Sequence, residues 1–141
     1  MDAQTAFEHA LRQLHPAERT TPSIEDVRTG ISLAVYDSVR ERMGIGSERL
    51  ERLLGVSTRT LQRRRHAEDR LTAVESDRLW RLLHVFEQAK RALGSEDAVR
   101  QWLLNPHAHL GDEAPLDRLD TQPGLREVED MLTVIDETGV A

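Results

Sequence analysis

Residues 47–66 constrain this chain more tightly than any other stretch. Ser47-Glu48-Arg49-Leu50-Glu51-Arg52-Leu53-Leu54 has the spacing of a short amphipathic helix. Gly55 follows, where a left-handed turn residue is needed, then Val56, then Ser57 as a helix cap. Thr58 to His66 forms a second helix dense in arginine. The spacing predicts a helix-turn-helix in which Ser47 caps the first helix. Leu50 and Leu54 line its inner face, Val56 plugs the turn and Leu61 anchors the second helix inward. This is how a protein presents a helix to the DNA major groove. Arg59, Gln62, Arg63 and His66 fall at i, i+3, i+4 and i+7, so one row faces outward. Arginine reads guanine bidentately and glutamine reads adenine. Ser57 and Thr58 stand at the helix N-terminus, whose unpaired N–H groups suit a phosphate. The candidate DNA-contacting residues are therefore Ser57, Thr58, Arg59, Gln62, Arg63 and His66.

Two positions depart from the usual pattern. Glu51 stands where a small residue normally lets the helices cross closely, and Arg64 stands where a second inward apolar residue is expected. The second helix is then either rotated slightly or loosely packed in its last turn. The same residues would also suit a plain helical hairpin with a solvated arginine face, or a helix-turn-helix that no longer binds DNA.

A basic helix is unusual in a chain whose net charge is −6. The charge is split. From Gly94 to the end there are 11 acids against 3 bases, while the first 93 residues hold 14 acids and 16 bases. The first part tolerates a polyanion; the second repels DNA and suits a basic partner surface. With 38% hydrophobic and 31% charged residues the chain is globular. Having no cysteine, it has no disulfide framework, thiolate metal site or cysteine nucleophile. No apolar run approaches the roughly 20 residues of a membrane span, and the N-terminus lacks signal-peptide features, so a cytoplasmic protein is expected.

Nearly every other segment reads as helix, and the expected fold is mainly α. Ala3 to Leu14 has a helical stripe that His15-Pro16 ends. Ser23, with Asp26 three residues on, caps a short helix closed by Gly30, and Ser32 caps the next. Thr72 and Glu75 form a capping box for a long helix to about Leu93. Its apolar stripe is wide enough for a buried rod, with width left over for a dimer seam. Gly94 stops it, and Ser95 caps a helix that Asn105-Pro106 terminates. His107 to Asp120 reads as a loop with one helical turn near Leu116. Pro123 suits the first turn of a last helix, whose stripe is Leu125, Val128, Leu132 and Ile135. The expected organisation is an N-terminal helix and linker over residues 1–22, the helix-turn-helix region with its long helix over 23–93, and a small helical domain over 94–141.

Leu53-Leu54-Gly55-Val56-Ser57, Arg59-Thr60-Leu61 and Arg63-Arg64 resemble the Xre/MbcA/ParS antitoxins. Trp102-Leu103, Asn105-Pro106, Leu110-Gly111, Pro115-Leu116, Leu119, Thr121 and Gly124 to Leu132 resemble that family's toxin-binding domain. The resemblance covers roughly Ile24 to Ala141. It implies a type II antitoxin whose partner is a RES-domain toxin, an NAD-consuming enzyme. The antitoxin caps the toxin's active site, and the complex binds operator DNA to repress its own promoter. It implies toxin contacts at Trp102, Asn105, Pro106, Leu110 and Gly111, and in the tail at Val140 and Ala141. On the last helix, Arg126, Glu129, Asp130 and Thr133 are the candidate contact face. Trp102 also fits a core position. A homodimer within a larger toxin–antitoxin complex is expected, because such readers bind paired half-sites.

No cofactor, metal site or enzymatic activity is expected. Asp112, Glu113, Asp117 and Asp120 lack a supporting base, and His107 and His109 lack a third ligand. The alternative is a stand-alone helix-turn-helix regulator whose C-terminal domain dimerises or binds a ligand.

Overall fold

A computed structural model describes residues 22–139. The helix expected over Ala3–Leu14 and the tail residues Val140 and Ala141 lie outside the described residues. Among the described residues there are seven α-helices and no strand. They are α1 (Ile24–Thr29), α2 (Leu33–Met43), α3 (Ser47–Leu54), α4 (Thr58–His66), α5 (Ala73–Leu93), α6 (Glu96–Leu104) and α7 (Gln122–Thr138). Two 3-10 turns, η1 (Ala108–Leu110) and η2 (Pro115–Arg118), lie between α6 and α7.

The helix boundaries follow from the capping residues. Ser23 and Asp26 close a reciprocal capping box on α1, and Ser32 accepts the Val35 N–H at the start of α2. Thr72 and Glu75 do the same at α5, with bonds of 2.9 and 3.2 Å. Ser95 caps α6 and Thr121 caps α7. The first helix of the helix-turn-helix differs from expectation. Gly46 occupies its N-cap with no side-chain bond, and Ser47 is already its first helical residue. The preceding Gly44 ends α2 in a left-handed conformation, so the chain re-enters helix one residue earlier than Ser47 would require.

The described residues divide into two compact units, the first ending at Trp80 and the second beginning at Arg81. The division falls inside α5. The reason is that the second half of α5 bonds to later residues: Arg81 donates to the Leu119 carbonyl at 3.1 Å, and Gln88 donates to Glu129 at 3.3 Å.

In the first unit, Val35, Tyr36, Val39 and Met43 of α2 are buried with Leu50 and Leu54 of α3 and Leu61 of α4. The strand-like segment after α1 ties this core to the start of α5. The Ile31 N–H donates to the buried Ser76 hydroxyl at 2.8 Å, and the Leu71 N–H donates to the Ile31 carbonyl at 3.0 Å. In the second unit the core is Leu82, Phe86, Val99, Leu103, Leu116, Leu119, Val128 and their neighbours.

The 105–121 segment is more ordered than a loop. Besides its two helical turns, the His107 N–H donates to the Glu113 carbonyl at 3.1 Å, a single antiparallel bridge. Arg118 pins it by donating to the Leu110 carbonyl through Nε at 3.2 Å and Nη2 at 2.5 Å. The first turn of α7 then presses on this segment. A Cβ placed on Gly124 would lie 1.8 Å from the Arg118 carbonyl oxygen. Only glycine permits that approach. We expect Gly124→Ala to cost about 3 kcal/mol, the upper end for overpacking, because the obstructing atom is backbone. Urea denaturation monitored by circular dichroism checks this; a loss under about 1 kcal/mol would show that the turn relaxes freely.

Candidate nucleic-acid interface and partner-binding surface

Helices α3 and α4 are joined by the expected turn. Gly55 has φ 73°, and its N–H donates to the Glu51 carbonyl at 2.8 Å. The α3 C-terminus is also met by Arg78, whose Nη1 lies 3.4 Å from the Leu53 carbonyl. Cations are favourable there because the last carbonyls of a helix are unpaired and carry partial negative charge. Ser57 accepts the Thr60 N–H at 3.1 Å and starts α4.

The second helix buries only Leu61. Apolar packing therefore holds α4 at a single point, and three polar ties supply the rest. At its N-terminus the Thr58 hydroxyl donates to the Glu51 carboxylate, 2.7 and 2.8 Å from its two oxygens. On one flank Arg65 is paired bidentately with Asp37 of α2, Nη2 at 2.7 Å from Oδ1. On the inner side Arg64 donates to Glu75 at 2.5 Å. The side chains of this last pair are only 16% and 10% exposed, which explains how an arginine occupies an inward position. The apolar contact that the pattern usually has there is replaced by an ion pair with the capping residue of α5. Glu51 is likewise accounted for, since it braces Thr58.

The row Arg59, Gln62, Arg63 and His66 is exposed. None of the four side chains has a hydrogen bond or ion pair with another described residue. Arg64 and Arg65 are spent on structure, so the arginine run divides by spacing into outward and structural members. Ser57 and Thr58 are exposed too, but the Thr58 hydroxyl is already engaged by a carboxylate. That carboxylate lies beside the α4 N-terminus.

A hollow of about 180 Å³ between α2, α3 and α4 is lined by Tyr36, Arg40, Glu51, Gln62 and Arg65, among others. Burial, with Glu51 nearby, pushes the Tyr36 phenol up to about 12, so it stays neutral. Glu75 behaves oppositely. Burial alone would raise its carboxyl, but the bonds from Arg64 and from the Thr72 backbone overrule this and hold it below the usual range.

In the second unit the sequence-derived positions separate. Trp102 is only 5% exposed, its ring 6.1 Å from that of His107, so it packs in the core. The amphipathic α6 turns Val99, Trp102 and Leu103 inward together. Leu110 is buried as well. Asn105 and Pro106 are exposed, with the Asn105 amide donating to the Gln101 carbonyl at 2.5 Å. Gly111 adopts φ 64° to close η1. On α7, Arg126, Asp130 and Thr133 are exposed. Glu129 is half-buried, accepting from Gln88 and lying 3.6 Å from His84 Nε2. His107 Nε2 is 2.8 Å from the Trp102 carbonyl oxygen. Among the described residues no three His, Asp or Glu side chains converge on a point that would hold a metal, and no helix is long and apolar enough to cross a membrane.

The sequence reading missed Arg118, Glu75 as partner of Arg64, and the close approach at Gly124. A glycine in the first turn of an otherwise well-capped helix is the one signal that pointed to the last of these.

A helix-turn-helix unit followed by a separate acidic helical unit defines a class of two-part regulators. Residues 22–84 match the antitoxin Xre-like helix-turn-helix domain, and residues 81–137 match the antitoxin Xre/MbcA/ParS C-terminal toxin-binding domain. The chain is 31% identical over 118 residues to Antitoxin Xre of Yersinia enterocolitica, covering 83% of this chain and 80% of that protein. It is 35% identical over 82 residues to Antitoxin Xre of Pseudomonas putida, covering 58% of this chain and 52% of that protein. Antitoxin Xre of Photorhabdus laumondii is 28% identical over 104 residues. The chain belongs to the Xre family of antitoxins. It is therefore an antitoxin with a helix-turn-helix and a toxin-binding domain, and not an enzyme.

The Arg64–Glu75 tie makes two predictions. Glu75→Gln leaves Arg64 without its charge partner and should cost roughly 2–3 kcal/mol. That is below the ~3–5 of a fully buried pair, since both groups keep some access to water. Because the folded carboxyl titrates below its ordinary 4.5, its contribution is present above that pH and is lost as the pH falls through the lowered value. Thermal melts from pH 7 to pH 3 should therefore fall more steeply for the wild type than for Glu75→Gln. Parallel slopes would refute the assignment.

Proposed function

We propose that this antitoxin neutralises a RES-domain, NAD-consuming toxin by laying its second unit over the toxin's active site. In the same reading it acts in the cytoplasm as a homodimer within the toxin–antitoxin complex. It represses the shared promoter through Arg59, Gln62, Arg63 and His66. The observation that carries the toxin half is the match of residues 81–137 to a toxin-binding domain. Charge supports the pairing: a site for the NAD pyrophosphate must be electropositive, and the stretch from Gly94 onward has 11 acids against 3 bases. The exposed and unengaged row on α4 supports the DNA half, because a groove-reading side chain must be free to reach base edges. Dimerisation would place two such rows one helical turn apart on paired half-sites.

Co-expression with a RES-domain toxin tests the first part. Growth and cellular NAD should recover with the full-length chain, and failure to recover either would refute the pairing. For the second part, Arg63→Ala should weaken binding to operator DNA by about 1–3 kcal/mol, the scale of one bidentate base contact. An equal loss on random DNA would make Arg63 a phosphate contact instead. Light scattering of the antitoxin alone should give a dimer.

A further inference from the structure

Helix α7 carries two hollows, and their chemistry differs. The smaller, about 160 Å³, is polar, with Gln88, Arg91, Glu129, Thr133 and Asp136 in its wall. The larger, about 460 Å³, is mainly apolar. Its wall combines buried Leu110 and Ile135 and half-buried Met131 with exposed His109, Glu127, Asp130 and Val134. Val134 is 56% exposed, on a helix whose other outward residues from Arg126 to Thr138 are polar or charged. An apolar residue at an outward position, continuous with an apolar hollow, is a surface suited to being covered.

The charges around the hollow say what covers it. Asp130 has no ion-pair partner among the described residues, and Glu127 lies 3.6 Å from Arg118 while remaining 52% exposed. The stretch from Gly94 onward has 11 acids against 3 bases. A second copy packed symmetrically here would set acid against acid, and nucleic acid would be repelled. The complementary occupant is a protein segment that brings an aliphatic or aromatic side chain flanked by arginine or lysine.

We propose that this hollow is the toxin's docking point: an apolar toxin side chain enters beside Met131 and Val134, and cationic neighbours meet Glu127 and Asp130. The inference rests on the toxin-binding reading above and sharpens it. It moves the contact face from the Arg126, Glu129 and Thr133 row to the adjacent row, with Asp130 common to both. Glu129 is occupied with Gln88 and His84 and does not take part.

Titration calorimetry of the full-length chain against a purified RES-domain toxin tests it. Val134→Arg should raise Kd at least about tenfold, as truncation or blockage of a central anchor does. Thr133→Arg, the neighbouring exposed residue on the polar side, should stay within about threefold. Asp130→Lys should slow association and flatten its salt dependence. It also gives an independent reading should Val134→Arg melt early. If the wild type binds and all three variants bind equally well, the docking face is wrong while the toxin reading stands. If Thr133→Arg alone loses binding, the contact lies on the polar row and the proposal falls. If Val134→Arg turns a dimer into a monomer by light scattering yet keeps toxin affinity, the hollow belongs to a second copy. If the wild type itself does not bind, both readings fail together.

Discussion

The first unit depends on the ion pair between Arg64 and Glu75. Helix α4 buries one leucine, and a single apolar contact leaves a helix free to roll about its axis. The pair stops that roll from the inner side, while Arg65–Asp37 holds a flank and Thr58–Glu51 holds the N-terminus. Glu75 also caps α5 through Thr72, so one carboxylate both starts the long helix and sets the azimuth of the basic one. An ion pair in place of a hydrophobic contact need not add stability, because desolvation offsets much of the attraction. It does tie the stability of the unit to the charge of Glu75.

Charge does a different job in the second unit. There the acids lie mostly on exposed positions of the 105–121 segment and α7, over a core of leucine, valine and phenylalanine. Arg118 is turned inward to hold the 105–121 segment, and Gly124 lets α7 start against it without a side chain between. The precision of this packing is spent on shape: the segment and the helix together form the larger hollow. The outward basic row of α4 and the acidic exposed surface sit on different compact units.

Much of this was legible from local signals. Serine and threonine caps predicted five of the seven helix starts closely, because a cap acts within one turn and needs no distant residue. The outward row on α4 was legible for the same reason, since helical spacing alone sets which side chains share a face. Ser47 misled because either it or Gly46 can precede a helix, and the left-handed exit at Gly44 decides between them. Trp102 was ambiguous: an aromatic residue near a helix end serves equally well as core or as anchor, and periodicity does not distinguish the two.

Helix content, the turn at Gly55, the division of charge and the family resemblance follow from neighbouring residues and from composition. The partners of Arg64 and Arg65, the division inside α5 and the hollow beside Val134 required the tertiary structure. Each depends on groups brought together from different elements: Arg64 with Glu75, Arg65 with Asp37, Leu110 with Met131. Local spacing states which way a side chain points on its own helix. It does not state what waits there, and for a charged residue at an inward position that second fact determines whether the helix is loose or held.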